Sequence, residues 1–343
     1  MISDVFIDEL RNACPIESVM GSYVNLIRRG RTYVCNCPFH SEKTPSCTIY
    51  PEQQSFYCYG CGAGGDVITF IRRIENLSFM ESIEMLAKRC GLIIPENKEE
   101  EKRSRTRART FEINRAAANF YFKNLTGNDK TGLAYFAERK LLPATIKKYA
   151  LGFAPNSWDG LSKHLLQKNF SEDELITAGL CHRSKNGGIY DVFRNRVMFP
   201  IVDTRGNVIG FGGRVMDDST PKYLNTAQTP VFDKGRNLFS LNFAKDSSSN
   251  IIILAEGYMD VIAINQAGFS NVVATLGTAI TADQARLISR YASEVIIAYD
   301  SDGAGQKATK KAIAHFNDVG LSARILHIEN AKDPDEYIKK FGS

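Results

Sequence analysis

Hydrophobic and polar positions keep a different rhythm in each of four stretches of this chain, and the rhythm predicts the elements. From residue 249 to 343, short apolar runs alternate with amphipathic stretches: IIILAEG, VIAINQAG, NVVATLG, TADQARLISRYA, EVIIAYD, AGQKATKKAIAHF and SARILHIE. An uninterrupted apolar run of four or five residues fits a strand buried on both faces. Strand and helix in alternation predict an α/β module with a parallel sheet. Residues 111–248 open on a helical stretch, FEINRAAANFYFKNL, and continue in short β-like runs such as RVMFPIVD and NVIGFGGRV between glycine turns, which predicts an α+β module. Within it, Ser171 and Glu174 form a capping-box signature for a short helix that Gly179 ends. Residues 1–95 alternate in RTYVCNCPFH and SFYCYGCGAGGD as a small antiparallel sheet does. They close on a helix started by Ser78 and Glu81 and stopped by Gly91 and Pro95. Between these modules, residues 96–110 (ENKEEEKRSRTRART) have Ala108 as their only apolar residue, so this segment adds nothing to a core and reads as a flexible or loosely helical tether.

The polar residues that end the apolar runs carry the first chemistry. Glu256 and Asp260 follow the run at 251–254, and Asp300 and Asp302 follow the run at 295–298. Ligands of open α/β sheets collect beyond the carboxyl ends of the strands, so these acids are expected to converge. Like charges held close repel, and a divalent cation relieves the repulsion. An all-oxygen donor set favours Mg²⁺ or Mn²⁺ over zinc. The bland alternative is that the acids cap helices, which Asp and Glu at strand ends often do.

Composition narrows the function classes. A chain of 343 residues accommodates two or three domains, and no run of eighteen apolar residues exists to cross a bilayer. The opening MISDVFIDELRNAC carries acids where a signal peptide carries Lys or Arg, so the expected location is the cytoplasm. A net charge of +5 suits a polyanionic partner without requiring one.

Eight cysteines occur, five of them between Cys35 and Cys61. A disulfide framework is not expected in a chain of this size and location. Cys37 and His40, then Cys58 and Cys61, form two ligand pairs at the spacing of a tetrahedral structural zinc, with Cys35 as the competitor for His40. The remaining cysteines read as small buried hydrophobes. Tyr33, Phe39, Phe56, Tyr57 and Tyr59 surround the ligands, with Arg28, Arg29, Arg31 and Lys43 nearby. The aromatics either pack over the metal or, on a shared face with the cations, stack on bases of a single strand. Farther on, Arg194, Arg196, Arg214, Lys222, Lys234 and Arg236 lie in or beside predicted turns that offer backbone amides as well as charge. Phosphate binding and a plain solvated surface are the two readings. GFGGR lacks the spacing of a dinucleotide fingerprint.

Taken together, CPFHSEKTPSC, YCYGCGAGGD, FRNRVMFPI, GFGGR, PKYLNTAQTPVFDKG, EGYMDVIA, ATLGTA, YDSDGAG and KDPDEYI closely resemble the bacterial replicative DNA primases, in colinear order across residues 1–343. The resemblance implies a zinc-ribbon-like domain over 1–95, a charged linker over 96–110, a basic subdomain of the RNA polymerase core over 111–248 and a TOPRIM domain over 249–343. It implies one structural zinc on Cys37, His40, Cys58 and Cys61. It also implies catalytic Mg²⁺ or Mn²⁺ on Glu256, Asp300 and Asp302, supported by Asp260, Asp333 and Asp335, with Glu256 as a candidate general base. Arg194, Arg196, Arg214, Lys222, Asn225 and Lys234 are implied to hold nucleotides and nucleic acid. The implied reaction is synthesis of short RNA primers from ribonucleoside triphosphates on single-stranded DNA. A replicative helicase is the implied partner, through a C-terminal region that the family has beyond the DPD segment and this chain, ending at Ser343, lacks. Cys47 stands where the family usually has Phe, and the acidic signature continues as a small neutral SDGAG. Two rivals remain: a TOPRIM nuclease or topoisomerase that breaks strands, and a non-catalytic zinc module that only binds them.

Overall fold

The computed structural model of the chain describes residues 2–94, 98–185, 187–277, 279–299, 303–328, 331 and 333–342. Its contacts divide it into two compact units, Met1–Lys102 with Ala285–Ser293 and Ala314–Ser322, and Arg103–Gln284 with Glu294–Ile313 and Ala323–Ser343. No described helix is long and apolar enough to cross a membrane.

The first unit begins with α1 (Asp4–Ala13) and α2 (Ile16–Met20), followed by β1 (Ile27–Arg29), β2 (Thr32–Cys35), β3 (Cys47–Tyr50), β4 (Ser55–Cys58) and β5 (Gly64–Gly65), then α3 (Val67–Ile74) and α4 (Phe79–Cys90). The five strands form one antiparallel sheet in sequence order, as the alternation predicts. Phe39, Phe56 and Phe70 meet with ring centroids 5.7–5.8 Å apart over the buried side of that sheet. Asp66 caps α3 by accepting from Thr69 N at 2.8 Å and is itself gripped by Arg11 at 2.7 and 2.9 Å. Ser78 and Glu81 make the expected reciprocal cap on α4, and Gly91 ends it with a left-handed φ of 70°. The expectation for the outlying cysteines fails at one pair: Cys14 and Cys90 are joined by a disulfide. They are the residue after α1 and the last residue of α4, and packing of those helices leaves their Cα atoms 6.3 Å apart, within bridging range.

The second unit takes in α5 (Lys98–Thr126) from Arg103 onward, and the charged residues from Lys98 and the helical stretch after them form one continuous helix. Then come α6 (Thr131–Glu138), α7 (Pro143–Lys148), β6 (Gly152–Ala154), α8 (Gly160–Leu166), α9 (Glu172–Thr177), β7 (Cys181–Arg183), β8 (Ile189–Asp191), β9 (Arg196–Val202), β10 (Val208–Val215) and β11 (Tyr223–Asn225). Strands pair antiparallel in the order β11-β10-β9-β6. Every residue of β9 except Val202 is buried. Alternation along it sends Val197, Phe199 and Ile201 into one core and Met198 into another that includes Ile113, Tyr121 and Phe211. After α10 (Leu241–Ala244), the chain forms β12 (Ile251–Ala255), α11 (Tyr258–Gln266), β13 (Val272–Ala274), α12 (Ala282–Ser289), β14 (Glu294–Ala298), α13 (Gly303–Asp318), β15 (Ser322–Ile325) and α14 (Pro334–Phe341). The sheet order is β13-β12-β14-β15, with β12 parallel to both neighbours. The two layers share a core: Tyr258 of α11 stacks on Phe199 of β9 at 5.0 Å. Gly212 makes room for that ring, since a Cβ there would lie 2.5 Å from the Tyr258 ring carbon Cζ.

Candidate zinc centre and acidic strand-end site

The antiparallel sheet of the first unit carries its ligands where strands end. Cys58 closes β4, Cys61 follows in the next turn, and Cys37 and His40 lie two and five residues beyond β2. The ligand atoms of Cys37, His40, Cys58 and Cys61 all lie within 4.8 Å of one another. Cys37 Sγ is 3.7 Å from Cys61 Sγ, and Cys58 Sγ is 3.8 Å from His40 Nδ1. Zinc–sulfur bonds of about 2.3 Å set two thiolates about 3.8 Å apart in a tetrahedron, so the donors fit a structural zinc. Cys35 lies outside the tetrad: it is buried on β2 opposite Cys47, a cross-strand pair. Contact with Cys47 is the largest influence lowering the Cys37 thiol, to about 5, whereas burial pushes Cys61 up to about 12.

Glu42, which sequence reasoning passed over, orders this centre. Its carboxylate accepts from Cys37 N at 2.7 Å and Ser46 N at 3.1 Å, and sits 3.2 Å from His40 Nε2, which leaves Nδ1 facing the thiolates. A carboxylate behind a ligating imidazole fixes its orientation and raises its basicity. Gly60 serves the same end, because a Cβ there would stand 2.7 Å from His40 Nε2. On the sheet, Tyr57 and Tyr59 are 44% and 69% exposed, whereas Phe56 is buried. Register places Arg29, Val34 and Tyr57 on one face and Arg28 with Tyr33 and Phe56 on the other, so the expected aromatic and cationic face contains Arg29 but not Arg28.

In the second unit, β12 and β14 are neighbours in register, with Ala255 opposite Ala298. The chain leaves β12 to one side for β13 and to the other for β14, so the switch point of the sheet lies between their carboxyl ends. Glu256 emerges there, exposed, one residue past β12. Burial and then the Glu256 charge raise the hydroxyl of Tyr299, the residue after β14. Asp300 and Asp302 lie outside the described residues. Asp260 accepts from Gly257 N at 3.1 Å and closes the first turn of α11. Asp333 caps α14 through Glu336 N at 2.7 Å. Asp335 is 5% exposed, with Oδ2 bound by Arg139 at 2.9 Å and by Lys339, and with Oδ1 buried and unpartnered. Burial raises the Tyr223 hydroxyl, with Asp260 and Asp335 adding to the rise and Arg214 and Arg139 opposing it. Among the described residues, the zinc tetrad is the one group of three or more ligands that converges, and Glu256, Asp260, Asp333 and Asp335 do not form a second.

The expected phosphate-binding residues separate into two kinds. Arg196 is 6% exposed and donates to the carbonyls of Pro221 at 2.9 Å, Gly213 at 3.2 Å and Lys222 at 3.3 Å. Its guanidinium clamps the loop that presents Lys222. Asn225 receives the Tyr258 hydroxyl at 2.7 Å and donates to the carbonyl of Leu276 at 2.9 Å, so its amide ties β11 to the parallel sheet. Lys222 is exposed. Lys234 sits on a turn whose carbonyls at 234, 235 and 237 are held by Gln284 and Thr281 at 2.6–2.9 Å. Arg214 donates to the Tyr135 hydroxyl and lies 4.8 Å over that ring. Arg194 lies 4.1 Å over Trp158 and 5.6 Å over Tyr190. Trp158 is 65% exposed, and composition offered a signal for it as the chain's one tryptophan.

Comparison with known proteins follows the same division. A CHC2 zinc finger model matches residues 2–102, a model of the N-terminal domain of the DNA primase catalytic core matches 120–245, and a Toprim-like model matches 253–338. The DNA primase of Clostridium acetobutylicum is 44% identical over all of this chain, and that of Halalkalibacterium halodurans is 40% identical over 98% of it. The chain spans 58% and 57% of the length of those relatives. A crystal structure of the zinc-binding and RNA polymerase domains of Aquifex aeolicus primase is 39% identical, with a TM-score of 0.64 over 100% of this chain and 83% of that one. A DnaG primase catalytic domain bound to single-stranded DNA is 37% identical, with a TM-score of 0.65 over 70% of this chain and 79% of that one.

Proposed function

The chain belongs to the bacterial DNA primase family, and from that premise we propose that it carries the primer-synthesising centre: ribonucleoside triphosphates joined on a single-stranded DNA template, in the cytoplasm. The observation that supports this most is the pairing of Ala255 with Ala298, which sets Glu256 and Tyr299 at one switch point. Glu256, Asp300 and Asp302 would hold the cations, all through oxygen. When bound, Mg²⁺ or Mn²⁺ neutralises charge on the reacting phosphoryl oxygens.

The remaining work belongs to the chain's own residues. Asp260 closes the first turn of the helix that follows Glu256, and Asp333 caps the helix that carries Asp335, so the two fix where those acids stand. Arg214, Lys222 and Lys234 bind triphosphate oxygens, the last two from loops held by Arg196 and by Gln284. Trp158 and Tyr190, braced by Arg194, offer faces for template bases. Zinc holds the sheet of the first unit in shape, and the face with Arg29 and Tyr57 meets the template. The test is Mg²⁺-dependent incorporation of labelled ribonucleotides on single-stranded DNA, alongside supercoiled DNA as a cleavage substrate. The expected result is short RNA products and intact plasmid. Strand cleavage without polymerisation would favour a nuclease or topoisomerase and overturn the reading.

A further inference from the structure

A cavity of about 650 Å³ opens between α5 and the C-terminal end of α8, and it shares no lining residue with the acidic strand ends, the zinc tetrad or the loops at 194–236. Its volume is that of a small-molecule site. One wall is built rather than incidental. Arg109 is locked by Glu174 at 2.7 Å, Glu112 at 3.0 Å and the Asn169 carbonyl at 2.7 Å, and it lies 4.3 Å over the Phe170 ring. That arrangement consumes the one acid in the lining, Glu112, in a pair with Arg109. Three further cations of the lining, Arg115, Lys123 and Lys168, are exposed and pair with no carboxylate among the described residues. Arg115 and Lys123 are eight residues apart on α5, about 12 Å along its axis. Between them Phe120 packs against His164 of α8 with ring centroids 5.0 Å apart. Burial lowers the His164 imidazole, and the charges of Lys168 and Lys123 lower it further, so both ammonium groups act on this one volume.

Uncompensated cations around a concavity call for a polyvalent anion, and an aromatic pair between them calls for a flat ring attached to it. We propose that this cavity is a second nucleotide site, in which Arg115, Lys123 and Lys168 bind phosphates and the Phe120–His164 pair receives the base. A free nucleoside triphosphate and a nucleotide unit of a single strand share that chemistry, and the test separates them.

The full chain is photo-cross-linked with azido-ATP in EDTA and mapped by peptide, and mant-ATP and a labelled oligothymidylate are titrated separately. The expected label falls on the peptides containing Phe120 or His164. The combined variant Arg115→Ala, Lys123→Ala, Lys168→Ala is expected to weaken mant-ATP binding about tenfold or more, a loss of about 1.4 kcal/mol. A charge-matched control, Lys88→Ala, Lys310→Ala, Lys311→Ala, is expected to stay within about twofold of the parent. All six positions are exposed, and circular dichroism checks both folds. Weakening of mant-ATP alone supports a free nucleotide as the occupant, and weakening of both ligands supports a strand. Unchanged binding in the first variant, equal weakening in the control, or label confined to residues 194–236 overturns the proposal.

Discussion

Tyr258 joins the two layers of the second unit through one side chain: its ring occupies the space left by Gly212, and its hydroxyl holds Asn225. Gly212→Ala is expected to destabilise the second unit by about 1–3 kcal/mol through overpacking, read as a lower unfolding midpoint. An unchanged midpoint would mean that the ring moves aside freely. Arg196→Met leaves three carbonyls without their buried donor, and it is expected to weaken triphosphate binding through Lys222 while leaving template binding intact, measured by separate titrations. Sequence could place Arg196 among cations near turns, but charge does not say whether a guanidinium turns inward. The zinc ligands were legible because a tetrahedral site forces a spacing on the chain. Glu42 was not, since a supporting carboxylate two residues from His40 obeys no such spacing.

Among elements, helix starts were the most legible, because a cap is a local contact between residues three apart. Both expected capping boxes formed, at Ser78 with Glu81 and at Ser171 with Glu174. The strand and helix alternation after residue 249 also matched β12 to β15, since buried parallel strands must be apolar throughout. The Cys14–Cys90 bridge was not legible, because it depends on how α1 and α4 pack across 76 residues of sequence. The cap of α3 gives a pH-dependent prediction. Burial of Asp66 opposes its ionisation, but donation from Thr69 and Arg11 wins and holds its carboxyl below the ordinary value. A carboxyl lowered by folding stabilises fully above its unfolded pKa of about 4 and loses that contribution as pH falls through its folded value. Asp66→Asn is therefore expected to lower the thermal midpoint of the first unit near neutrality, with the gap to the parent closing below about pH 4. A gap that stays constant down to pH 2 would assign the effect to shape instead of charge.

For the whole molecule, a sulfur and nitrogen ligand set stands on the antiparallel sheet of the first unit, and the proposed oxygen set belongs to the parallel sheet of the second. Chelation that strips zinc is expected to unfold the sheet of the first unit and leave the circular dichroism of the second, because a structural zinc contributes folding energy directly. Retained protease resistance across residues 27–65 after zinc release would contradict that. The central claim concerns the switch point between β12 and β14. Crystals soaked in Mn²⁺ with a ribonucleoside triphosphate test it through anomalous scattering. The expected peak lies within about 2.0–2.3 Å of carboxylate oxygens from both Glu256 and Asp300. Peaks only elsewhere, or Glu256 and Asp300 turned away from each other around an empty edge, would contradict it.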